Sequence, residues 1–149
     1  MENDRLFELR EYNNLTQKFV GEIIGVRQQT YAEWEKGKKI IPLKHLVTLA
    51  KYYNVSMDYL TGLSNRKEHF YKDVLLDKGK IGKRIVYIRT INNIKQKDLA
   101  LFLNTSPSTL WAYEKGVTLM LTAFLYQIAK KYKISIDWLI GASPNMKRI

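Results

Sequence analysis

The chain contains one sequence unit twice. With Arg5 laid on Arg84, residues 5–62 fall on 84–141 without a gap. About 18 of roughly 58 aligned positions are identical, where unrelated sequences would share about four. The matches include Arg10/Arg89, Asn13/Asn92, Gln17/Gln96, Thr30/Thr109, Glu35/Glu114, Lys36/Lys115, Gly37/Gly116, Ala50/Ala129, Ser56/Ser135, Asp58/Asp137 and Gly62/Gly141. Two copies are too few for a solenoid, whose repeats need several neighbours to close a core. The pattern therefore describes a small domain that has been duplicated.

Each copy reads as five helices. In the first, Leu6, Leu9 and Tyr12 share one helical face. Thr16 can cap a short second helix over 17–24, and Gly25 suits a turn with positive φ. A third helix over 28–36 carries Tyr31 and Trp34 inward and stops at Gly37. Pro42 opens a fourth, with Leu46, Leu49, Ala50 and Tyr53 at helical spacing. Ser56 caps a fifth over 57–61, ended by Gly62. The second copy repeats the scheme with Ile81, Ile85 and Ile88 on helix one and 96–103 as helix two. Asn104 stands where Gly25 was, and Asn tolerates the left-handed turn next best. Pro107 follows Ser106 at the start of helix three. Leu125, Ile128, Ala129 and Tyr132 line helix four, and Ser135 caps helix five. Gly21 and Ala100 are small where helix two must approach helix three. The expected fold is all-α, with domains at 1–64 and 80–149, a linker at 65–79 and a basic C-terminal tail.

Composition narrows the partners. The 149 residues hold 25 Lys+Arg against 14 Asp+Glu, a net charge of +11. Residues 1–66 contribute +2 and residues 67–149 contribute +9. Such an excess points to a polyanion. Without cysteine there is no disulfide, thiolate metal site or cysteine nucleophile. The long uncharged stretches, 99–113 and 116–129, contain polar residues and are too short to span a bilayer. The mixed charges of the first 20 residues do not make a signal peptide, so a cytoplasmic setting is expected, with no membrane contact.

The motifs LTQ, QQTYAEWEKGK and LVTLAKYYNVSMDYL in the first copy, and IKQKDLALFLNTSPSTLWAYEKG with LYQIAKKYKISIDWL in the second, resemble the Cro/lambda-repressor (XRE) type of helix-turn-helix domain. The resemblance covers about four fifths of the chain and implies two tandem five-helix domains that bind double-stranded DNA. It also implies partly buried ion pairs between Arg10 and Glu35 and between Arg89 and Glu114, fixing the angle of helix three. Removing one partner of such a pair costs about 3–5 kcal/mol, because the other charge is stranded.

In this motif the third helix of each domain enters the major groove by its N-terminal residues. The resemblance places Arg27, Gln28, Gln29, Ala32 and Glu33 there in the first copy. A Gln amide matches the donor and acceptor of adenine, Glu can accept from cytosine, and Ala can touch a thymine methyl. Gln17, at a helix start that attracts anions, and Thr30, Lys36, Lys38 and Lys39 are phosphate candidates. The second copy retains Gln96, Thr109 and Lys115, flanked by Lys95 and Lys97, as phosphate candidates. Its base candidates, Ser108 and Trp111, sit beside Pro107, which has no N–H or polar side chain. Trp111 could meet thymine methyls, a protein surface or its own helix two.

Lys38 and Lys39 become Val117 and Thr118, followed by Leu119, Met120 and Leu121, a stretch fit for the core or an interface. Lys78, Lys80, Lys83 and Arg84 precede or enter helix one, and Lys130, Lys131 and Lys133 end helix four. The second domain is thus expected to hold the DNA backbone with relaxed base preference, to act as an oligomerisation module, or both. Residues 69–76 could form a short helix in the linker, and the connection from 63 to 80, roughly 18 residues, reaches about 60 Å when extended. Half-sites lie about 34 Å apart. A homodimer, or a pseudo-dimer of the two repeats, is compatible with this reach. Tyr59, Leu60, Trp138, Leu139 and Ile140 on helix five are candidates for contacts between copies or chains, or for closing the core, which is preferred for Leu60 and Leu139.

The reading is a sequence-specific transcriptional regulator of bacterial or phage type, with a repressor preferred over an activator. The alternative is an antitoxin or adaptor whose second domain binds a partner protein. No phosphate loop, HExxH pair, nucleophile motif or paired carboxylates point to an enzyme. No metal or cofactor is expected, and His45 on helix four is read as surface or packing.

Overall fold

A computed structural model describes residues 1, 4–67 and 74–148. These residues form ten helices and no named strand. The first five are α1 (Asp4–Tyr12), α2 (Gln17–Ile24), α3 (Gln28–Glu35), α4 (Leu43–Tyr53) and α5 (Met57–Leu60). The second five are α6 (Lys78–Ile91), α7 (Gln96–Phe102), α8 (Pro107–Glu114), α9 (Thr122–Tyr132) and α10 (Ile136–Leu139). The chain divides into two compact units, Met1–Lys72 and Asp73–Arg148.

In the first unit the polar side chains at the helix starts do what their chemistry suggests. The Thr16 oxygen accepts from the Phe19 N–H, and the Ser56 oxygen accepts from that of Tyr59. Gly25 turns the chain between α2 and α3 at φ 75°. The core is closed by Leu6, Leu9, Val20, Tyr31, Trp34, Leu46 and Leu49, all buried. Tyr12 departs from expectation: it is 83% exposed, because α1 ends there and the inward place on the next turn is taken by Arg10. Pro42 caps α4 from outside rather than opening it. The tail behind α5 turns back, and the Ser56 N–H donates to the Lys67 carbonyl at 3.2 Å.

A fragment ending at Lys67 retains that bond and should fold alone. A cooperative urea transition with helical circular dichroism is expected; a featureless melt would show that the unit depends on the rest of the chain.

The second unit repeats the architecture with local differences. Asp77 caps α6 by accepting from the Lys80 N–H, so this helix starts inside the stretch read as linker. The helix expected over 69–76 lies largely outside the described residues, and Val74 to Leu76 carry none. Lys95 supplies no side-chain cap to α7, yet the helix begins there, with Asp98 in its first turn offsetting the helix dipole. Asn104 takes φ 56° at the turn before α8. The C-terminal tail is not a loose basic arm. The Ser135 N–H donates to Met146 at 2.8 Å, and the Arg148 guanidinium donates to the carbonyls of Ala129 and Ile134.

Tyr59, Leu60, Trp138, Leu139 and Ile140 are buried, each in the core-closing role that is one of its two readings. Tyr59 is roofed by the Arg5 guanidinium at 4.0 Å, and Trp138 by that of Arg84 at 4.7 Å. Arg84 therefore turns inward, donating to the Trp138 carbonyl, and leaves the exposed basic set. The apolar run after α8 is split: Met120 is buried, whereas Val117 and Leu121 are exposed.

Candidate nucleic-acid interface

The site is organised by one charged node in each unit. Arg10 on α1 meets Glu35 at the end of α3 through two hydrogen bonds, Nε to Oε1 at 2.6 Å and Nη2 to Oε2 at 3.1 Å. Gln17, at the start of α2, donates Nε2 to the same carboxylate at 3.0 Å. One residue from α1 and one from α2 thus converge on Glu35 of α3. The second unit repeats the node: Arg89 reaches Glu114 twice at 3.0 Å, and Gln96 donates to it at 3.1 Å. Arg10 and Arg89 also donate to the carbonyls of Leu15 and Ile94, at equivalent positions.

The Glu35 side chain is 4% exposed and that of Arg10 is 9% exposed. Burial pushes the Glu35 carboxyl up, but hydrogen bonds from Arg10 and Gln17 outweigh it and hold the group below its ordinary range. The hydrogen bond to Glu35 correspondingly raises Arg10. Burial first, and then the Glu35 charge, push the neighbouring Tyr31 hydroxyl far up. Tyr53, more by burial than by charge, is pushed up to about 12. His45 stacks at 5.3 Å from Trp34, and burial lowers it, as suits a packing role.

This node fixes α3 from its inner side. Tyr31 and Trp34 are buried, and the opposite edge faces outward. Arg27, Gln28 and Gln29 are exposed at its start, Thr30, Ala32 and Glu33 are half-buried beside them, and Lys36, Lys38 and Lys39 are exposed after its end. Arg27 caps the helix by backbone alone, which leaves its guanidinium out of the cap. Lys39 is tied to Glu33 by an ion pair of 3.1 Å, so both charges are partly satisfied before any ligand arrives. Gln17 keeps one amide hydrogen beyond the bond to Glu35.

The second unit offers a different outer face on α8. Pro107 takes the first helical position and Ser106 the cap. The Ser106 hydroxyl lies 3.0 Å from that of Ser108 and 2.8 Å from that of Thr109. Trp111 is 49% exposed where the first unit has Ala32. It borders an open cleft with Val86, Arg89, Gln96, Glu114 and Lys115. Lys115 is exposed there, and exposed Lys95 and Lys97 flank Gln96 in sequence. Val117 occupies the place of Lys38, and Lys78 bends across to donate to the Val117 carbonyl. Of the lysines ending α9, Lys131 lies 4.2 Å over the Phe102 ring and has a packing role.

Two features escaped sequence reasoning. Arg5 and Arg84 each fasten the first helix of their unit to an aromatic residue 54 positions later. Their identity within the repeat, paired with Tyr59 and Trp138, was the available signal. The other is Gly82, where a Cβ would lie 2.4 Å from the Tyr113 carbonyl oxygen. A side chain there would lift α6 from the end of α8.

In each unit, two short helices joined by a left-handed turn, with the second presenting an outward edge, define a helix-turn-helix domain. Family comparison agrees: a helix-turn-helix family matches residues 6–60, and a helix-turn-helix domain family matches residues 82–142. The chain belongs to the XRE family of helix-turn-helix proteins and carries two such domains in tandem. It is 41% identical over 61 residues to the uncharacterized HTH-type transcriptional regulator YobD of Bacillus subtilis, a match covering 41% of this chain and 54% of that protein. It is 32% identical over 68 residues to the HTH-type transcriptional regulator AnsR of the same organism, covering 46% of this chain and 59% of the relative. Over 68 residues it is 35% identical to repressor protein CI of Enterobacteria phage phi80, covering 46% and 28%. The chain thus spans between about a quarter and six tenths of these relatives' lengths. Among the described residues no helix is long and apolar enough to cross a membrane.

Proposed function

We propose that the protein is a non-enzymatic transcriptional regulator that binds double-stranded DNA in a sequence-specific manner. Its first unit reads the major groove with α3, and it acts by occupying an operator as a repressor. The observation that carries this reading is the outward presentation of Gln28 and Gln29 on a helix whose other face is locked into the core. Two planar amides so placed can each offer adenine a donor and an acceptor. Lys36, Lys38 and Thr30 flank them as backbone contacts, which position the helix without selecting sequence. The regulators and the phage repressor to which the chain is similar support the same class.

The second unit keeps the node but not the amides, and it serves mainly as a backbone clamp through Lys95, Lys97 and Lys115. Exposed Val117 and Leu121 favour a second reading, in which this unit also joins a second copy or another protein. Native mass spectrometry of the purified chain tests it.

Selection of bound duplexes from a random pool tests the main reading. An enriched motif is expected, lost on substitution of α3. Recovery of unenriched sequences would overturn it.

Lys38→Ala should weaken binding to every duplex and lower the slope of log affinity against log salt by about one. Lys39→Ala should do less, since Lys39 is already paired with Glu33. Salt titration on matched and unmatched duplexes checks both.

A further inference from the structure

We propose that the second unit selects sequence through a single apolar contact, Trp111 against the 5-methyl group of thymine. The inference rests on the reading of the chain as a DNA-binding protein and assigns the second unit its base contact.

The outer stripe of α8 consists of Ser108, Trp111 and Lys115, spaced three and four residues apart and so stacked on one face. Pro107 offers neither an N–H nor a polar side chain to a base. Ser108 and Thr109 share their hydroxyls with Ser106 at 3.0 and 2.8 Å. A rotating hydroxyl can donate or accept, so it fits any base edge and distinguishes none. Lys115 carries a point charge suited to phosphate. Trp111 is the remaining member, an indole 49% exposed one turn into the helix.

Its surroundings favour a nucleic acid over a protein as the occupant of this face. Exposed Lys115 lines the same cleft as Trp111, exposed Lys95 and Lys97 flank Gln96 of its wall in sequence, and residues 67–149 hold a charge of +9. In the major groove, the feature that an apolar side chain can select is the thymine methyl. An indole where the first unit has a methyl also holds the start of α8 farther from the base edges. That agrees with the absence of an amide reader there.

The test uses the full chain and its selected duplex. Thymines are replaced singly by deoxyuridine, which removes only the methyl group. Positions whose preference survives joint replacement of Arg27, Gln28, Gln29 and Glu33 by Ala are assigned to the second unit. At one or two of these, uracil should weaken binding about fourfold, the effect of returning one methyl to water. Trp111→Ala should bind thymine and uracil duplexes equally, whereas Trp111→Phe should retain the difference. Unchanged thermal unfolding shows that each variant is folded.

Uracil insensitivity throughout the second half-site overturns the proposal, as does sensitivity that persists in Trp111→Ala. Loss of self-association in Trp111→Ala with the DNA preference intact overturns it in favour of a protein contact. Failure to enrich any motif would instead remove the underlying DNA reading.

Discussion

Glu35→Gln should lower the unfolding free energy of the first unit by about 3 kcal/mol, the lower end of the range for breaking one side of a buried ion pair. The lower end applies because Arg10 retains Glu11 at 3.0 Å and the Leu15 carbonyl. For a unit of this size the whole stability is on the order of 3–10 kcal/mol, so the variant is marginal. Urea denaturation of the fragment ending at Lys67 measures the change. A loss below about 1 kcal/mol would mean that the pair behaves as an ordinary surface contact.

The pH dependence follows from the depressed Glu35 carboxyl. Its stabilising contribution is complete above the ordinary value of 4.5 and is lost as pH falls through the lower folded value. Glu35→Gln should flatten that acid limb. A paired replacement, Arg10→Met with Glu35→Leu, should recover most of the stability, because neither charge is then stranded. It should not recover DNA affinity if the node's role is to set the angle of α3. Full recovery of both would reduce the node to a stability element.

Much of this arrangement was legible in the residues. The duplication exposed the Arg10/Glu35 pair, since a fortuitous pair is not repeated at the same spacing. Thr16, Ser56, Ser106 and Ser135 announced helix starts because their hydroxyls compete for the first free N–H groups. Less legible was anything set by tertiary contact. Tyr12 has the right period for the core, yet its helix ends there and it points to water. Arg84 reads as one more surface base until the fold brings it over Trp138. The last helices look like interface material because they are aromatic and apolar, and that same character closes their own cores. Gly82 carries no local signal, because its constraint comes from a backbone about 30 residues away.

Replacing Gln28 and Gln29 together by Ala should erase the first unit's sequence preference while leaving its fold intact. Both residues are exposed and tie α3 to nothing in the protein, so a stability change beyond about 0.5 kcal/mol is not expected. Each bidentate amide–adenine contact contributes about 1–3 kcal/mol of discrimination, so each position loses about 5- to 150-fold. Affinity for unrelated duplexes should hardly move, since Lys36 and Lys38 and the helix starts remain. Competition binding against the selected duplex and a scrambled one separates the two effects, and the salt slope should be unchanged. An equal loss on both duplexes would make the glutamines backbone contacts. Intact discrimination would move base reading elsewhere on α3, to Arg27 or Glu33. The distinction matters because the node holds α3 rigidly. A helix so fixed cannot tilt to substitute one reader for another, so what the glutamines lose is not regained by their neighbours.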